Sequence, residues 1–380
     1  MEKRTFAKLG DSVSLLGFGG MRFPLIEGTT EVDIPATEEM IDLAMKNGVN
    51  YYDTAYPYHG EKAEEILGGI LKKYPRDSYF LADKLPLWML EKEEEVDSYF
   101  DEQLRRCGVT YFDYYLVHSM NAERIPKMEE FRTYEKLKAR QEKGQIRHLG
   151  FSFHDTPEAL EKMLAVHPWE FAQIQLNYLD WDLQHADCQY QILEEAGLPV
   201  VVMEPLRGGS LTNLGEKGTE LLKTARPDQS IASWGIRFAA SKPGVMTVLS
   251  GMSAMDQVED NLHTVCNFVP LSEQEESLLQ SALMEYKRSG AIPCTGCRYC
   301  MECPSGVDIP RVFAIYNAYK ISNHGFGLTN SYQLLGKDHQ AQNCVECGQC
   351  MEHCPQKLSI PDLLKEVKME VERVEKEMDH

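Results

Sequence analysis

YFLADKLPLWMLEKEEEVDSYFDEQLRRCGVTYFDYYLVH, residues 79–118, holds two apolar runs separated by a stretch of helical period. YFLADKL (79–85) and FDYYLVH (112–118) are rich in aromatic and branched side chains on both faces, as in strands that helices cover on either side. Between them, 91–107 places apolar residues at three- and four-residue steps among charges, the pattern of an amphipathic helix. Strand, helix and strand in succession form one step of a parallel sheet.

The alternation continues in both directions. Upstream lie SLLGFG (14–19) and NYYDT (50–54); downstream lie IRHLGFS (146–152), FAQIQLN (171–177), PVVVMEP (199–205) and VMTVLSG (245–251). Helices are expected near 37–47, 61–73, 128–143, 157–166, 185–196, 230–241 and 255–268. Eight strand–helix units over about 260 residues match a (β/α)8 TIM barrel, with an open doubly wound sheet as the alternative. RTFAKLGDSVSLLGFGG predicts a short hairpin ahead of the first barrel strand. Gly17-Phe18-Gly19-Gly20 does not complete a GxGxxG fingerprint, because Arg22 stands at the third glycine position.

The rest of the composition sets limits. Acidic residues outnumber basic ones 59 to 39, a formal charge of −20, which argues against nucleic acid or anionic membrane as partner. No apolar run approaches the roughly 18 residues that span a bilayer. The opening MEKRTFAKLGDSV lacks the apolar segment of a signal peptide, so a reducing cytoplasm is expected. Of 11 cysteines, Cys107, Cys188 and Cys266 are scattered, and the other eight fall between Cys294 and Cys354. The chain therefore divides into a barrel, 1–290, and a small, mainly helical, cysteine-rich domain, 291–380.

In a barrel of this kind chemistry sits at the C-terminal ends of the strands. There the apolar runs end in Asp53, Lys84 and His118, with Tyr58 in the loop after Asp53. Singly these residues read as a helix cap, a solvated strand end, a packed phenol and a buried histidine. Together at one mouth, a Lys beside a phenol favours phenolate, a buried Asp holds the Lys charged, and His118 orients a carbonyl.

Asp53-Thr54-Ala55-Tyr56-Pro57-Tyr58, with Gly60 and Glu64, then Ala82-Asp83-Lys84 and Tyr114-Tyr115-Leu116-Val117-His118, resemble the motifs of the aldo-keto reductase family. The resemblance covers roughly residues 1–290. It implies a nicotinamide dinucleotide bound without a Rossmann fold, NADPH with NADH as the alternative, and a small carbonyl or alcohol substrate. By that resemblance Tyr58 is the general acid, assisted by Lys84 and Asp53, and His118 aligns the substrate. Ser152 and Gln173 match residues that hold the nicotinamide carboxamide. SGMSAMDQVEDN (250–261) resembles the adenosine-phosphate segment, through Gly251, Ser253, Gln257, Asp260 and Asn261. Gln257 stands where many relatives have Arg. Met203 stands nearest the position at which many have a Tyr stacked on the nicotinamide. Met21, Arg22, Trp88 and residues near Trp181 are expected to line the pocket.

The cysteine-rich domain carries two runs, Cys294-x2-Cys297-x2-Cys300-x2-Cys303-Pro304 and Cys344-x2-Cys347-x2-Cys350-x3-Cys354-Pro355. The second has the bacterial ferredoxin spacing and the first is one residue shorter. Zinc ribbons also use Cys-x2-Cys pairs, but four thiolates per run with a terminal Pro favour two [4Fe–4S] clusters. In two-cluster ferredoxins the fourth Cys of each run serves the other cluster. That resemblance assigns Cys294, Cys297, Cys300 and Cys354 to one cluster and Cys344, Cys347, Cys350 and Cys303 to the other. IPRVFAIYNAYKI (309–321) reads as helix. Ile360, Leu363, Leu364, Val367, Val371, Val374 and Met378 make one face of a terminal helix.

Barrel and tail together resemble the iron–sulfur-containing branch of the aldo-keto reductases. Hydride transfer moves two electrons and a cluster passes one, and no flavin motif is recognisable. Three readings stand: a carbonyl reductase whose clusters serve electron transfer with a redox partner protein, an electron-transfer protein whose barrel docks or senses, and a reductase with structural clusters.

Overall fold

The computed structural model describes residues 1–378. Strands β1 (Lys3–Thr5) and β2 (Ser12–Ser14) pair antiparallel as the expected hairpin. Eight parallel strands follow: β3 (Leu16–Gly19), β4 (Tyr51–Asp53), β5 (Phe80–Leu85), β6 (Phe112–Met120), β7 (Ile146–Phe153), β8 (Phe171–Gln175), β9 (Val200–Met203) and β10 (Val245–Ser250). They pair in chain order and close, β10 against β3, so the sheet is a barrel and the open doubly wound alternative falls.

Strand length and side-chain size set the closure. Most strand residues are buried, as continuous apolar runs require when helices cover a closed sheet. One place has no room for a side chain: a Cβ on Gly150 would lie 2.6 Å from the Phe171 carbonyl oxygen. At the N-terminal end of the barrel, Val13, Tyr51, Ala82, Tyr114 and Phe171 form a core against which Phe6 and Leu9 of the hairpin connection pack. Arg4 fastens the hairpin by donating to the Ala240, Lys242 and Val245 carbonyls. The hairpin therefore plugs the end of the barrel opposite the chemistry.

One expected helix is broken, and another forms as expected with a separate short turn ahead of it. The stretch 128–143 is Ile125–Glu130 and Thr133–Glu142, interrupted where Arg132 takes φ 47°. The stretch 185–196 is preceded by a separate turn, Asp180–Leu183, with His185 at φ 52° between them. Helices Gly215–Ala225, Glu273–Arg288 and Gly325–Leu334 were not expected.

By packing, the described chain forms two compact units. The first comprises Met1–Pro205 and Ser233–Leu271; the second comprises Leu206–Ala232 and the chain from Ser272 onward. Within the second, Gly215–Ala225 lies against Glu273–Arg288. The helices Ile309–Ser322, Gly325–Leu334 and Ile360–Met378 enclose a core that includes Val312, Phe313, Tyr316, Leu328 and Tyr332. From the terminal helix Ile360, Leu364, Val367, Val371 and Val374 are buried, while Met378 is exposed. No strand occurs among this unit's described residues, so the domain is helical. No helix among the described residues is long and apolar enough to cross a membrane.

Candidate functional site

β4 ends at Asp53 and β5 presents Lys84 two residues beyond Ala82, the register partner of Asp53, toward the same mouth. Lys84 is 1% exposed; its Nζ donates to Asp53 Oδ1 at 2.6 Å and to the Thr54 carbonyl at 2.7 Å. The same ammonium stands 5.2 Å from the centroid of the Tyr58 ring. Tyr58 meets the His118 imidazole edge-on, with centroids 5.9 Å apart, and Trp88 covers His118 at 4.9 Å. The structure thus brings together all four residues read from the strand ends.

Their electrostatics differ from expectation in one respect. Tyr58 is held well above its ordinary pKa, first by burial and then by the charges of Asp53, Glu204 and Asp83. The phenol therefore rests protonated. Burial, then Lys84, His154 and Arg124, holds His118 far below its ordinary value, so the imidazole is neutral. Burial also raises Asp53, against the pull of Lys84.

Behind Lys84 lies a second layer. Its backbone N–H donates to Asp83 Oδ1 at 2.8 Å, and its carbonyl accepts from Gln103 Nε2, which also reaches Glu64 Oε1. Burial and then Glu64 push Asp83 well above the usual carboxylate range. Cys107 is buried there, with Sγ 3.7 Å from Asp83 Oδ2.

The residues read as nicotinamide contacts face each other across β7 and β8, Ser152 opposite Gln173. Ser152 Oγ accepts from the Ser119 N–H at 2.7 Å. Gln173 is 2% exposed, and its Oε1 has no hydrogen-bond partner in the protein. A buried acceptor left so is costly unless a ligand donates to it, and a carboxamide NH2 has the required donor. The donor set therefore fits a nicotinamide. In the last barrel loop, Gly251, Ser253 and Gln257 are exposed, and Gln257 Oε1 accepts from the Ser253 N–H. Asp260 is half-buried on the helix Met255–Cys266. Asn261 is buried and donates to Ser250 Oγ, which makes it a brace of the strand end.

Packing adds further features to the mouth. Arg22 pairs with Glu204 at 3.1 Å and lies against Gly251, whose Cβ would meet its side chain at 3.1 Å. Glu204 itself takes φ 54° directly after β9. His154, beyond β7, is half-buried, and burial, then Arg124, lowers it to about 4. Arg124 donates to the Ser119 carbonyl and lies 5.0 Å over the Trp88 ring. Trp181, by contrast, packs against Tyr190 and Phe238 beneath Lys242 and does not line the mouth.

In the second unit the two cysteine runs adopt one backbone shape. The second residue after the leading Cys is left-handed in both, Gly296 (φ 64°) and Glu346 (φ 58°), and so is the fourth, Arg298 (φ 67°) and Gly348 (φ 81°). A non-glycine in that region costs about 1 kcal/mol, so each loop carries one strained residue, at alternate places. After the last Cys of each run the match continues: Cys-Pro-x leads to Gly306 (φ 73°) or Lys357 (φ 50°), then to a helix opening Ile309-Pro310 or Ile360-Pro361. All eight thiols are free of disulfides. Burial, then Cys297, Cys294 and Cys354, pushes Cys300 up to about 12. Burial, then Cys344, with Cys303 and Cys347 also acting, raises Cys350. Cys354 thus stands in the field of Cys300, and Cys303 in that of Cys350. No three His, Cys, Asp or Glu side chains among the described residues converge as on a single metal ion.

The profile of the aldo/keto reductase family matches residues 15–284, and that of a 4Fe-4S dicluster domain matches 293–358. The chain is 30% identical over 215 residues to a probable aldo-keto reductase of Glycine max, covering 53% of this chain and 58% of that protein, under two thirds of its length. It is 25% identical over 309 residues to L-galactose dehydrogenase of Arabidopsis thaliana, covering 75% of this chain and 95% of that protein. An aldo-keto reductase of Klebsiella pneumoniae, solved in complex with NADPH, shares the fold with a TM-score of 0.60 at 21% identity. That match covers 74% of this chain and 95% of that one.

Proposed function

The chain belongs to the aldo/keto reductase family, and on that premise we propose that its barrel interconverts a small carbonyl compound and its alcohol with a nicotinamide dinucleotide, NADPH in preference to NADH. The observation that carries this reading is Lys84 Nζ, held at 2.6 Å by Asp53 and set against the face of Tyr58.

Bound NADPH supplies the hydride for the carbonyl carbon. Tyr58 Oη gives its proton to the carbonyl oxygen, and the burial that keeps the phenol protonated at neutral pH makes it a donor rather than a base. Lys84 stabilises the phenolate left behind, and Asp53 and Thr54 fix that ammonium in place. Neutral His118 offers a hydrogen bond to the same oxygen without competing for the proton. Gln173 Oε1 and Ser152 orient the carboxamide, which supports the dinucleotide reading, as does the NADPH bound by the related Klebsiella pneumoniae protein. The start of the helix Met255–Cys266, with Gly251, Ser253 and Gln257 beside it, is the place we assign to a phosphate of the dinucleotide.

We further infer two [4Fe–4S] clusters, one on Cys294, Cys297, Cys300 and Cys354 and one on Cys344, Cys347, Cys350 and Cys303. Exposure of Cys347 supports exchange of single electrons with a partner protein at the second cluster.

Anaerobically purified protein should oxidise NADPH with a carbonyl substrate, and Tyr58→Phe should lower kcat by about 10²–10⁴. Full activity in Tyr58→Phe would sink the carbonyl reading. Bleaching of cluster absorbance by NADPH, unchanged in that variant, would favour the electron-transfer reading.

A further inference from the structure

Arg207 follows Glu204 by three residues and lies in the segment of the second unit that begins at Leu206. It is 1% exposed, among the largest fully buried side chains of the protein. A left-handed turn fixes it, with φ 49° at Arg207, 65° at Gly208 and 91° at Gly209. Its Nη2 donates to the Pro293 carbonyl and to Gln356 Oε1, both at 2.7 Å. Those acceptors bracket one thiol quartet, because Pro293 precedes Cys294 and Gln356 follows Cys354 by two residues. Burial works against the guanidinium; Tyr286, Cys294 and Cys354 favour its charge.

Beside the other quartet the setting of the cation differs. The cation that senses Cys344 is Lys365, whose side chain is 51% exposed and held 2.7 Å from Glu346. Arg298, in the first loop, is likewise exposed and faces Asp308 at 3.9 Å. Water and a nearby carboxylate screen both charges, whereas Arg207 acts through protein.

We propose that Arg207 is a fixed charge that sets the potential of the cluster on Cys294, Cys297, Cys300 and Cys354 above that of its neighbour, making it the end of the pair where an electron rests. This rests on the two-cluster reading above. The step is a gain of one electron from an external low-potential donor of the ferredoxin or viologen class. The core passes from 2+ to 1+, and with four thiolates the cluster passes from −2 to −3; no bond breaks and no proton moves. A buried cation favours the more negative state. Arg207 is thus a positioning residue for an electron, and it touches no substrate.

The test is an EPR-monitored redox titration of anaerobic holoprotein, with iron and sulfide counted first. Dithionite and mediators supply the electrons, and Cys347→Ser marks the wave of the second cluster. The upper wave should belong to the first cluster. In Arg207→Gln that wave should fall by at least tenfold in its reduction constant, which is 59 mV for one electron, while the lower wave stays in place. Gln356→Glu keeps the guanidinium but answers its charge, and should lower the same wave even if Arg207→Gln fails to hold iron. Arg207→Lys should restore most of the native potential. An upper wave unmoved in iron-replete Gln356→Glu, an equal shift in Arg207→Lys, or an upper wave assigned to the second cluster would each overturn the proposal. Wild-type protein without iron and sulfide would instead remove the two-cluster reading, and the proposal with it, at the first measurement.

Discussion

Lys84 meets almost no water, and an ammonium so placed persists only against an anion and lone pairs, here Asp53 Oδ1 and the Thr54 carbonyl. Removing one partner of a buried pair leaves the other charge uncompensated, at about 3–5 kcal/mol. Asp53→Asn should therefore destabilise the protein by about 3 kcal/mol in urea titration, and Asp53→Asn/Lys84→Met should regain most of that loss while remaining inactive with NADPH. A single variant as stable as the parent would show that Asp53 does not carry the charge. Asp53, Tyr58, Lys84 and His118 were legible because three end apolar runs and the fourth follows one closely. Glu204 also ends such a run, but only closure of the barrel shows that it faces Arg22. His154 and the unpartnered Gln173 oxygen depend on which side chains cross the mouth, and no residue spacing encodes that. The raised pKa of Tyr58 comes from burial and then from Asp53, Glu204 and Asp83 on separate elements, and no single stretch of sequence carries that sum.

At the scale of elements, the plugged end of the barrel holds a titratable knot. His148 on β7 reaches Asp11 of the hairpin connection at 3.0 Å and Glu170, just ahead of β8, at 3.2 Å. Against the cost of burial, those two hydrogen bonds raise His148 to about 9. Its ordinary value is about 6.5, so the stabilisation is complete below pH 6.5 and is lost as pH rises through 9. Allowing for partial screening, the loss is on the order of 2 kcal/mol. Thermal unfolding should show stability declining between pH 6.5 and 9.5, and His148→Gln should flatten that decline; an equal slope in both proteins would refute the assignment. The strands were readable because their apolar runs are continuous. Helices were harder. Glu273–Arg288 carried a readable signal, the Ser272–Glu275 capping box. Gly215–Ala225 has two glycines and few apolar residues, and Gly325–Leu334 is built from weak helix formers held by packing. The break at Arg132 has no local marker such as Gly or Pro.

At the scale of the whole molecule, the formal charge of −20 understates the acidity of the loaded protein. Eight thiolates and two oxidised cores would add about −4, which favours a redox partner with a basic face. The cysteine spacings announced the clusters, and ferredoxin resemblance supplied the exchange of fourth ligands. The shared backbone shape of the two runs emerges only in three dimensions, since the glycines that mark it alternate between them. That likeness has a consequence for assembly. Under the assignment proposed above, each run supplies three corners of one cluster and one of the other's, so filling either site draws both runs together. The module behaves like two hooks that close only on each other, and iron uptake becomes an all-or-none event counted molecule by molecule. Native mass spectrometry during limited anaerobic reconstitution should find molecules with no iron and molecules with about eight, with a near-empty middle. Abundant species holding about four irons would mean that the two loops load separately.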